Sequence, residues 1–170
     1  MTKRSAHKKT GKNGTTKEAP AKMSNKARTM AKETVSKINL QVKRSTVPGS
    51  GKGLFTKVEI KKGEKIVEYK GKVSTWKDVD HADGTNAYIY YVNKNRVIDA
   101  RTYKKALARY ANDAKGFNRL KGIVNNSNYV VEKGGRVFIE AVKNIAPGEE
   151  IMVEYGKEYW DIMKKNGTTG

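Results

Sequence analysis

The chain has 170 residues, and 36 Lys and Arg residues against 17 Asp and Glu residues give it a formal net charge of +19 at pH 7. It has no Cys, which excludes disulfides, thiolate zinc sites and cysteine nucleophiles. Only His7 and His81 supply imidazole, which nearly excludes a His-based metal site or a Ser-His-Asp triad. No apolar run approaches the roughly 18 residues of a membrane span, and the N-terminus lacks an apolar core, so we expect no transmembrane helix, secretory signal or membrane partner. The excess of positive charge favours a polyanionic partner instead.

Residues 1–37 differ in composition from the rest of the chain. They hold 11 basic and 2 acidic residues and no aromatic residue. Such a stretch cannot bury enough apolar area to offset the entropy lost on ordering, so we predict a disordered basic arm. Its charge suits non-specific contact with nucleic acid phosphates, although a solubilising tail has the same composition. We expect a folded domain at 38–160 and a C-terminal tail at 161–170.

From residue 38 onward, short apolar runs alternate with Gly, Pro and Asn, which is typical of strands joined by turns. Helical character is limited to 103–111 and 157–164. The pattern therefore predicts a mainly β domain with one modest core. The predicted strands are 38–42, 53–58, 65–69, 88–92, 96–98, 129–132, 136–142 and 150–155.

Two of these segments echo each other. Residues 60–66 read IKKGEKI, residues 145–151 read IAPGEEI, and each segment continues to a Glu-Tyr pair. Each predicts a glycine turn that leads into a strand ending at a tyrosine. Two such turns do not make a repeat protein, and similar turns need similar residues.

A glycine-rich loop, GSGKG, occupies residues 49–53 and leads into a predicted strand. Glycines allow a backbone to approach a ligand closely because no Cβ intervenes. The loop is neither a dinucleotide fingerprint nor a phosphate loop, since no helix follows it and the Gly-Lys-Ser/Thr ending is absent. On its own it fits a flexible hairpin turn equally well.

Two further segments carry polar or aromatic residues at the ends of predicted elements. The first, RYANDA at 109–114, fits an ordinary helix stop when taken alone. The second contains Tyr155, Tyr159 and Trp160. These rings suit a cavity wall or a stacking surface for a planar ligand, and they equally suit a cap on the hydrophobic core.

Taken together and in this order, the segments resemble the motifs of SET-domain protein-lysine methyltransferases. The resemblance covers residues 42–160 and is to the minimal type without zinc-binding Cys clusters. It implies a β-clip-like fold of several small antiparallel sheets, with one or two short helices and a C-terminal pseudoknot. The matching segments are GKGLF at 51–55, EYKG at 68–71, YIY at 88–90, IDA at 98–100, RYANDA at 109–114 and GEEI at 148–151, followed by Tyr155.

The resemblance implies methyl transfer from S-adenosylmethionine to a lysine ε-amine, without a metal. By this likeness Tyr155 is the principal catalytic residue, and Tyr69 lies opposite it. Trp160, or its neighbour Tyr159, would cover the adenine ring. The implied cofactor-binding residues are Gly51, Lys52, Gly53, Tyr88, Arg109, Asn112, Asp113, Tyr155 and Trp160.

Among several departures from the family pattern, Asp113 stands where the pattern has His. We hypothesise that its carboxylate pairs with a positive charge of the cofactor. The implied substrate is a lysine in a histone or another basic chromatin or nucleoid protein, and the implied location is intracellular, nuclear or nucleoid. Two alternatives remain: a catalytically weakened SET-like module that binds nucleic acid or chromatin through the arm 1–37, or an arm that is itself the methylated substrate.

Overall fold

The computed structural model describes residues 39–80, 86–115 and 121–165. The predicted arm at 1–37 lies outside these residues. Within them the chain forms short strands and very little helix. The strands are β1 (Leu40–Arg44), β2 (Lys52–Thr56), β3 (Lys65–Glu68), β4 (Lys72–Ser74), β5 (Ile89–Asn93), β6 (Arg96–Asp99), β7 (Ser127–Val131) and β8 (Val137–Ala141). A 3₁₀ turn spans Leu107–Tyr110 and one α-helix, α1, spans Lys157–Lys165.

The strands form three small antiparallel sheets. Strand β1 pairs with β2, β8 lies between β3 and β7, and β6 lies between β4 and β5. This confirms the predicted mainly β fold of several small antiparallel sheets. None of the helices in the described ranges is both long and apolar enough to cross a membrane.

One hydrophobic core joins the sheets. Leu54 of β2, Ile98 of β6 and Ile139 of β8 are all buried in the same cluster. In the central strand β8 the consecutive residues 137–139 are all buried, because the strand has neighbours on both faces. Five partly buried tyrosines pack against this core and lie between it and the site described below: Tyr88, Tyr90, Tyr110, Tyr129 and Tyr155.

The echoed segments lie side by side. Ile60 and Ile145 form an antiparallel bridge with both backbone hydrogen bonds, at 2.9 and 2.8 Å. In each turn a glutamate carboxylate, from Glu64 or Glu149, accepts the backbone N–H of the residue three positions earlier, both at 2.9 Å. The sequence echo therefore reflects two matching turns that pair with each other.

The predicted strand at 150–155 is not a strand. Its residues bridge three different neighbours in turn, since Glu150 pairs with Phe55, Met152 with Asn112 and Val153 with Ser127. The chain is extended there, but no single partner follows it long enough to form a ladder. Because this segment runs between residue 112 on one side and residues 126–127 on the other, the arrangement agrees with the expected C-terminal pseudoknot.

The predicted helix at 103–111 is also wrong in extent. Only 107–110 form a 3₁₀ turn, and Ala111 is already extended, with φ −72° and ψ 121°. Ala108 and Ala111 are both buried, so packing against the core fixes this turn and points the chain toward residues 112 and 113. Strand β4 was not predicted, because its three residues are too few to show an alternating pattern.

Candidate active site

A cavity of about 680 Å³ lies where the glycine loop, the 109–113 segment and the C-terminal aromatic segment meet. Its volume falls in the usual range of small-molecule sites, roughly 300–1,000 Å³. It brings together nearly all the residues that the sequence singled out. Of the predicted site residues, Gly51, Lys52, Tyr69, Tyr88, Arg109, Asn112, Asp113, Tyr155 and Trp160 all line it.

Gly53 is the predicted cofactor residue that does not line the cavity. It is buried in β2 against the side chain of Glu150, where an added Cβ would lie 2.0 Å from Oε1 of the carboxylate. Glycine is needed here for close packing. Of the two glycines in the GKG motif, Gly51 therefore lines the cavity, and Gly53 packs against Glu150.

Glu150 holds the glycine loop in place. It is 5% exposed, and its Oε1 accepts hydrogen bonds from Ser45 Oγ at 2.8 Å and Asn112 Nδ2 at 3.1 Å. Its Oε2 accepts the backbone N–H of Thr46 at 2.7 Å and its hydroxyl at 2.6 Å. All of these donors lie in segments next to the cavity, so Glu150 fixes the wall from behind.

Asn112 connects the loop to the core. Its Nδ2 lies 3.0 Å from the carbonyl oxygen of Lys52 and 3.1 Å from Ser45 Oγ, in addition to Glu150. The next residue, Asp113, is 3% exposed and points its carboxylate toward the C-terminal segment. Oδ2 of Asp113 accepts the Tyr155 backbone N–H at 2.9 Å and the Trp160 indole N–H at 2.8 Å.

Tyrosine rings form another part of the wall. Tyr69, Tyr90 and Tyr129 lie with ring centroids 4.8–5.8 Å apart. The Tyr69 hydroxyl donates to the Tyr88 carbonyl at 2.9 Å, and the Tyr155 hydroxyl donates to the Ala111 carbonyl at 2.8 Å. Backbone acceptors thus fix the two tyrosines that the sequence assigned to catalysis.

These phenols are held in the neutral form. Burial raises the pKa of Tyr155 well above its ordinary value, and the neighbouring Tyr159, Tyr69 and Asp113 act in the same direction. Burial is also the main cause of the raised pKa values of Tyr69 and Tyr129, and of Tyr90 and Tyr159. At neutral pH the tyrosines therefore act as hydrogen-bonding groups and not as bases.

The cavity also has a cationic side. The Arg109 guanidinium carbon lies 4.0 Å from the centroid of the Tyr88 ring, and its buried Nε has no hydrogen-bond partner among the described residues. Lys52 adds a second positive charge to the wall. The positive charges of Arg109 and Lys52 at the wall suit an anionic group of a ligand.

The C-terminal aromatic residues pack on one another. Trp160 is 6% exposed and stacks on Tyr155 at 6.1 Å with an interplanar angle of 19°. Tyr159 contacts Tyr155 edge-on at 4.7 Å and is only half-buried. Little of the Trp160 ring is free for a ligand, so Tyr159 offers the more accessible ring at this wall.

Sequence reasoning missed several residues of the wall. Tyr90, Tyr129 and Asn128 line the cavity, and Glu150 supports it from behind. The aromatic residues lie in predicted strands, but nothing local shows which face of a strand borders a cavity. Among the described residues, no group of three His, Cys, Asp or Glu side chains is placed to hold a metal ion.

Comparison with models of protein families identifies the family of this domain. A family model of the SET domain matches residues 51–156, more than half of the chain. The chain belongs to the SET-domain family. This confirms the resemblance carried by the six sequence segments.

Curated relatives of this SET domain include lysine methyltransferases. Histone-lysine N-methyltransferase ASHH1 of Arabidopsis thaliana is 34% identical over 123 residues, which cover 68% of this chain and 24% of the relative. N-lysine methyltransferase KMT5A of Xenopus tropicalis is 27% identical over 125 residues, covering 68% of this chain and 36% of the relative. The chain thus spans about a quarter to about a third of the length of these relatives.

Solved structures agree with the fold of the SET domain. The methyltransferase domain of human PR domain-containing protein 2 has a TM-score of 0.52 and 26% identity, covering 85% of this chain and 96% of that one. The structure of ctPRC2 in an autoinhibited conformation bound to S-adenosylmethionine has a TM-score of 0.55 at 23% identity, covering 75% of this chain and 16% of that one. The second likeness concerns the fold alone.

Proposed function

We propose that this SET domain is a protein-lysine methyltransferase that uses S-adenosylmethionine. The observation that carries the proposal is a single cavity bordered by the glycine loop, by Arg109 and by the tyrosines Tyr69 and Tyr155. The cationic side of the cavity suits the carboxylate of the cofactor, and the aromatic side suits the lysine amine. Both reactants would therefore meet in one cavity. The names of the curated relatives support the same reaction class.

The cavity fits the proposed cofactor. The amino-acid carboxylate of the cofactor would meet the positive charges of Arg109 and Lys52. The backbone of Gly51 approaches the same space, with φ +65° and no Cβ. The adenine would lie toward Tyr159 and the edge of Trp160. When bound, the cofactor supplies a methyl group on a positively charged sulfur, open to attack by an uncharged amine.

The tyrosine wall would favour the uncharged form of the lysine amine. A free lysine has a pKa of about 10.4, so deprotonation near pH 7.5 costs roughly 4 kcal/mol at about 1.36 kcal/mol per pH unit. The packed rings of Tyr69, Tyr90 and Tyr129 exclude water, which disfavours the charged ammonium. Because their pKa values are raised, these phenols do not take the proton at neutral pH. The proton therefore leaves to solvent.

The fixed tyrosines would also orient the amine. The hydroxyls of Tyr155 and Tyr69 are tied to the carbonyls of Ala111 and Tyr88, so both rings keep their positions without a ligand. Alignment of two reactants can contribute roughly 7–11 kcal/mol toward the barrier. We therefore assign Tyr155 and Tyr69 to the reacting end of the cavity.

A labelled-methyl assay tests the proposal. The full chain is incubated with S-adenosylmethionine carrying a labelled methyl group and with lysine-containing proteins, including histones, and labelled lysine is identified by mass spectrometry. We expect transfer by the wild type, at least about tenfold slower transfer by Tyr155→Phe, and no change in Tyr103→Phe, an exposed control. Absence of both cofactor binding and transfer would overturn the proposal.

The substrate and location follow as parts of the same proposal. The substrate is a lysine in a histone or a similar basic protein, in line with the name of the Arabidopsis relative, and the location is nuclear or nucleoid-associated. The arm 1–37, the domain 38–160 and the tail 161–170 remain the proposed division, with α1 running on to Lys165. Mass increments on residues 1–37 in the same assay would identify the arm itself as an acceptor.

A second candidate function is a nucleic-acid-binding SET-like module. The observation that favours it is the charge, since 24 basic and 14 acidic residues occupy the described ranges and the arm 1–37 adds 11 basic residues. Phosphate contacts release counterions, so the affinity for duplex DNA would fall steeply with salt. We expect Gln in place of the arm's Lys and Arg residues to flatten this dependence. Strong DNA binding without any cofactor binding would favour the module over the enzyme.

A further inference from the structure

We infer that Asp113 is a positioning residue that holds the C-terminal aromatic segment, and with it Tyr155, against the cavity. The inference rests on the proposed methyl transfer for its kinetic test, but its structural content stands on hydrogen bonds alone. It replaces the hypothesis that the Asp113 carboxylate pairs with a charge on the cofactor.

The Asp113 carboxylate has all its acceptor capacity directed at the chain. Oδ1 accepts the backbone N–H of Lys115 at 2.8 Å and the side-chain amide of Asn125 at 3.1 Å. Oδ2 accepts the backbone N–H of Tyr155 at 2.9 Å and the indole N–H of Trp160 at 2.8 Å. With four donors on two oxygens, the carboxylate has little left to offer a ligand.

Three of these donors belong to residues that are distant from Asp113 in sequence, namely Asn125, Tyr155 and Trp160. Tyr155 and Trp160 lie 42 and 47 residues beyond Asp113 in sequence. Asn125 is in turn fixed, because its Oδ1 accepts the backbone N–H of Ala114 at 2.8 Å. One buried carboxylate therefore joins the start of α1, the strand-like segment before it and the loop that precedes β7.

Tyr155 is held at both ends by one short segment. Its backbone N–H donates to Asp113, and its hydroxyl donates to the carbonyl of Ala111, two residues earlier. Between these acceptors, Asn112 binds the carbonyl of Lys52 on the glycine loop. The three consecutive residues 111–113 thus set the separation between the cofactor side of the cavity and the phenol of Tyr155.

The chemistry of the side chain explains why an aspartate suits this position. A neutral imidazole accepts at one nitrogen only, so the histidine of the family pattern could not satisfy four donors. A carboxylate accepts at both oxygens, and the two side-chain donors, Asn125 and Trp160, are suited to it. Asp113 therefore keeps the cavity assembled with a different set of hydrogen bonds.

The test compares Asp113→Asn, which keeps the size and one acceptor oxygen, with Asp78→Asn, an exposed control outside the cavity. Both are made in the full chain carrying Trp76→Phe, so that Trp160 is the only tryptophan. We expect Asp113→Asn to shift the Trp160 emission to longer wavelength and increase its quenching by acrylamide. We expect kcat to fall up to about 100-fold, since small displacements of a reacting group have effects of that size. KM for the lysine substrate should change less than about threefold. Kd for S-adenosylmethionine should rise by a smaller factor than kcat falls, since Trp160 borders the proposed adenine site.

The Trp160 spectrum, kcat and the cofactor affinity of the Asp113 variants together decide whether the inference holds. An unchanged Trp160 spectrum and an unchanged kcat in Asp113→Asn would overturn the inference. A loss of cofactor affinity with an unchanged Trp160 spectrum would also overturn it and would restore direct pairing of Asp113 with the cofactor. Asp113→Glu, which keeps the charge with a longer side chain, should recover the tryptophan signal more than kcat. If the wild type neither binds the cofactor nor transfers a methyl group, the proposed function fails, while the fluorescence of folded variants still tests the positioning role.

Discussion

At the scale of single residues, most of the polar side chains that line the cavity have hydrogen-bond partners within the chain. The Tyr155 and Tyr69 hydroxyls, the Asn112 amide and the Asp113 carboxylate all have backbone or side-chain partners. Arg109 is different, because its buried Nε has no partner among the described residues. Because Arg109 also lines the cavity, its positive charge is available to a bound anion.

Replacing Arg109 by Met tests this difference. We expect Kd for S-adenosylmethionine to rise about 10- to 100-fold, because a hydrogen bond to a charged group contributes roughly 1.5–3 kcal/mol. The free energy of unfolding of the cofactor-free protein should not fall, since the substitution removes an unsatisfied buried donor. Calorimetric titration and urea unfolding measure the two quantities.

Arg136→Met is the matched control for Arg109. Arg136 binds Glu68 through two hydrogen bonds of 2.8 and 2.9 Å and does not line the cavity. Its loss should lower stability slightly and leave the cofactor affinity unchanged. Equal losses of affinity in both variants would mean that charge in general, and not the orphaned guanidinium, attracts the cofactor.

The tyrosines predict a simple dependence on pH. Burial raises the pKa of Tyr155, Tyr129 and Tyr69, so these phenols stay protonated well beyond neutral pH. The target lysine, with a free pKa of about 10.4, must lose its proton, so kcat/KM should rise nearly tenfold per pH unit from about pH 7 to about pH 9. A falling limb in that range, accompanied by phenolate absorbance, would contradict the assignment.

The same shifts affect stability at alkaline pH. Since the pKa of these phenols is higher in the folded than in the unfolded state, their contribution to stability is complete below the unfolded value of about 10. It is lost as pH rises from there through the folded pKa values. Thermal unfolding should therefore be insensitive to tyrosine ionisation below about pH 10, and the midpoint should fall above it.

The sequence motifs predicted which residues come together, while the roles of these residues stay predictions. Gly51, Arg109 and Tyr155 line the cavity as the motifs indicate. Gly53 does not, because a glycine that packs against a buried side chain looks the same in sequence as one that approaches a ligand. Tyr90 was missed because the side of a strand that meets a cavity is decided by the other sheets.

At the scale of elements, two matching turns hold the C-terminal segment. The turns at 60–66 and 145–151 pair through Ile60 and Ile145, and the second turn leads directly into Glu150 and the segment that carries Tyr155. A substitution that distorts either turn should therefore displace residues at the wall of the cavity.

Equal substitutions in the two turns should have similar effects. Glu64→Ala and Glu149→Ala each remove a carboxylate that accepts a backbone N–H at 2.9 Å, so each should lower the free energy of unfolding by about 1 kcal/mol. Ile145→Ala should lower it by about 2–5 kcal/mol, because the side chain is fully buried. Urea unfolding measures all three, with Val142→Ala, a more exposed position, as the control. A large effect from only one of the two glutamates would contradict the equivalence of the turns.

Local patterns predicted most strands but not the pairing of the last segment. Residues 150–155 are extended as their apolar pattern indicates, yet their hydrogen bonds go to three separate neighbours. Such a threaded segment depends on contacts between residues more than 25 positions apart, and no local pattern contains that information. The helix predicted at 103–111 is only one 3₁₀ turn for a similar reason, since tertiary packing of Ala108 and Ala111 outweighs the helix propensity of the segment.

At the scale of the whole molecule, positive charge is unevenly distributed along the chain. The described residues up to 115 include 17 basic and 7 acidic side chains, whereas those from 121 onward include 7 of each. A strongly basic enzyme repels a basic peptide at long range and attracts an acidic one, and salt screens both effects. The charge therefore acts on how substrates arrive and not on the fold.

This predicts opposite responses to ionic strength. With a basic, histone-like lysine peptide, KM should fall as salt is raised, because screening removes repulsion. With a peptide in which acidic residues flank the lysine, KM should rise. Steady-state kinetics with the two peptides over a salt series measure the effect, and parallel responses would show that net charge does not control encounter.

The central claim is that the glycine loop, Arg109 and the tyrosine wall enclose one space in which the cofactor and a lysine meet. The most direct measurement is a crystal structure of the full chain with S-adenosylhomocysteine, the demethylated product of the cofactor. We predict that its carboxylate lies beside Lys52 and Arg109 and that its sulfur points toward Tyr155 and Tyr69. A ligand bound outside this cavity, or a cavity closed to it, would contradict the claim.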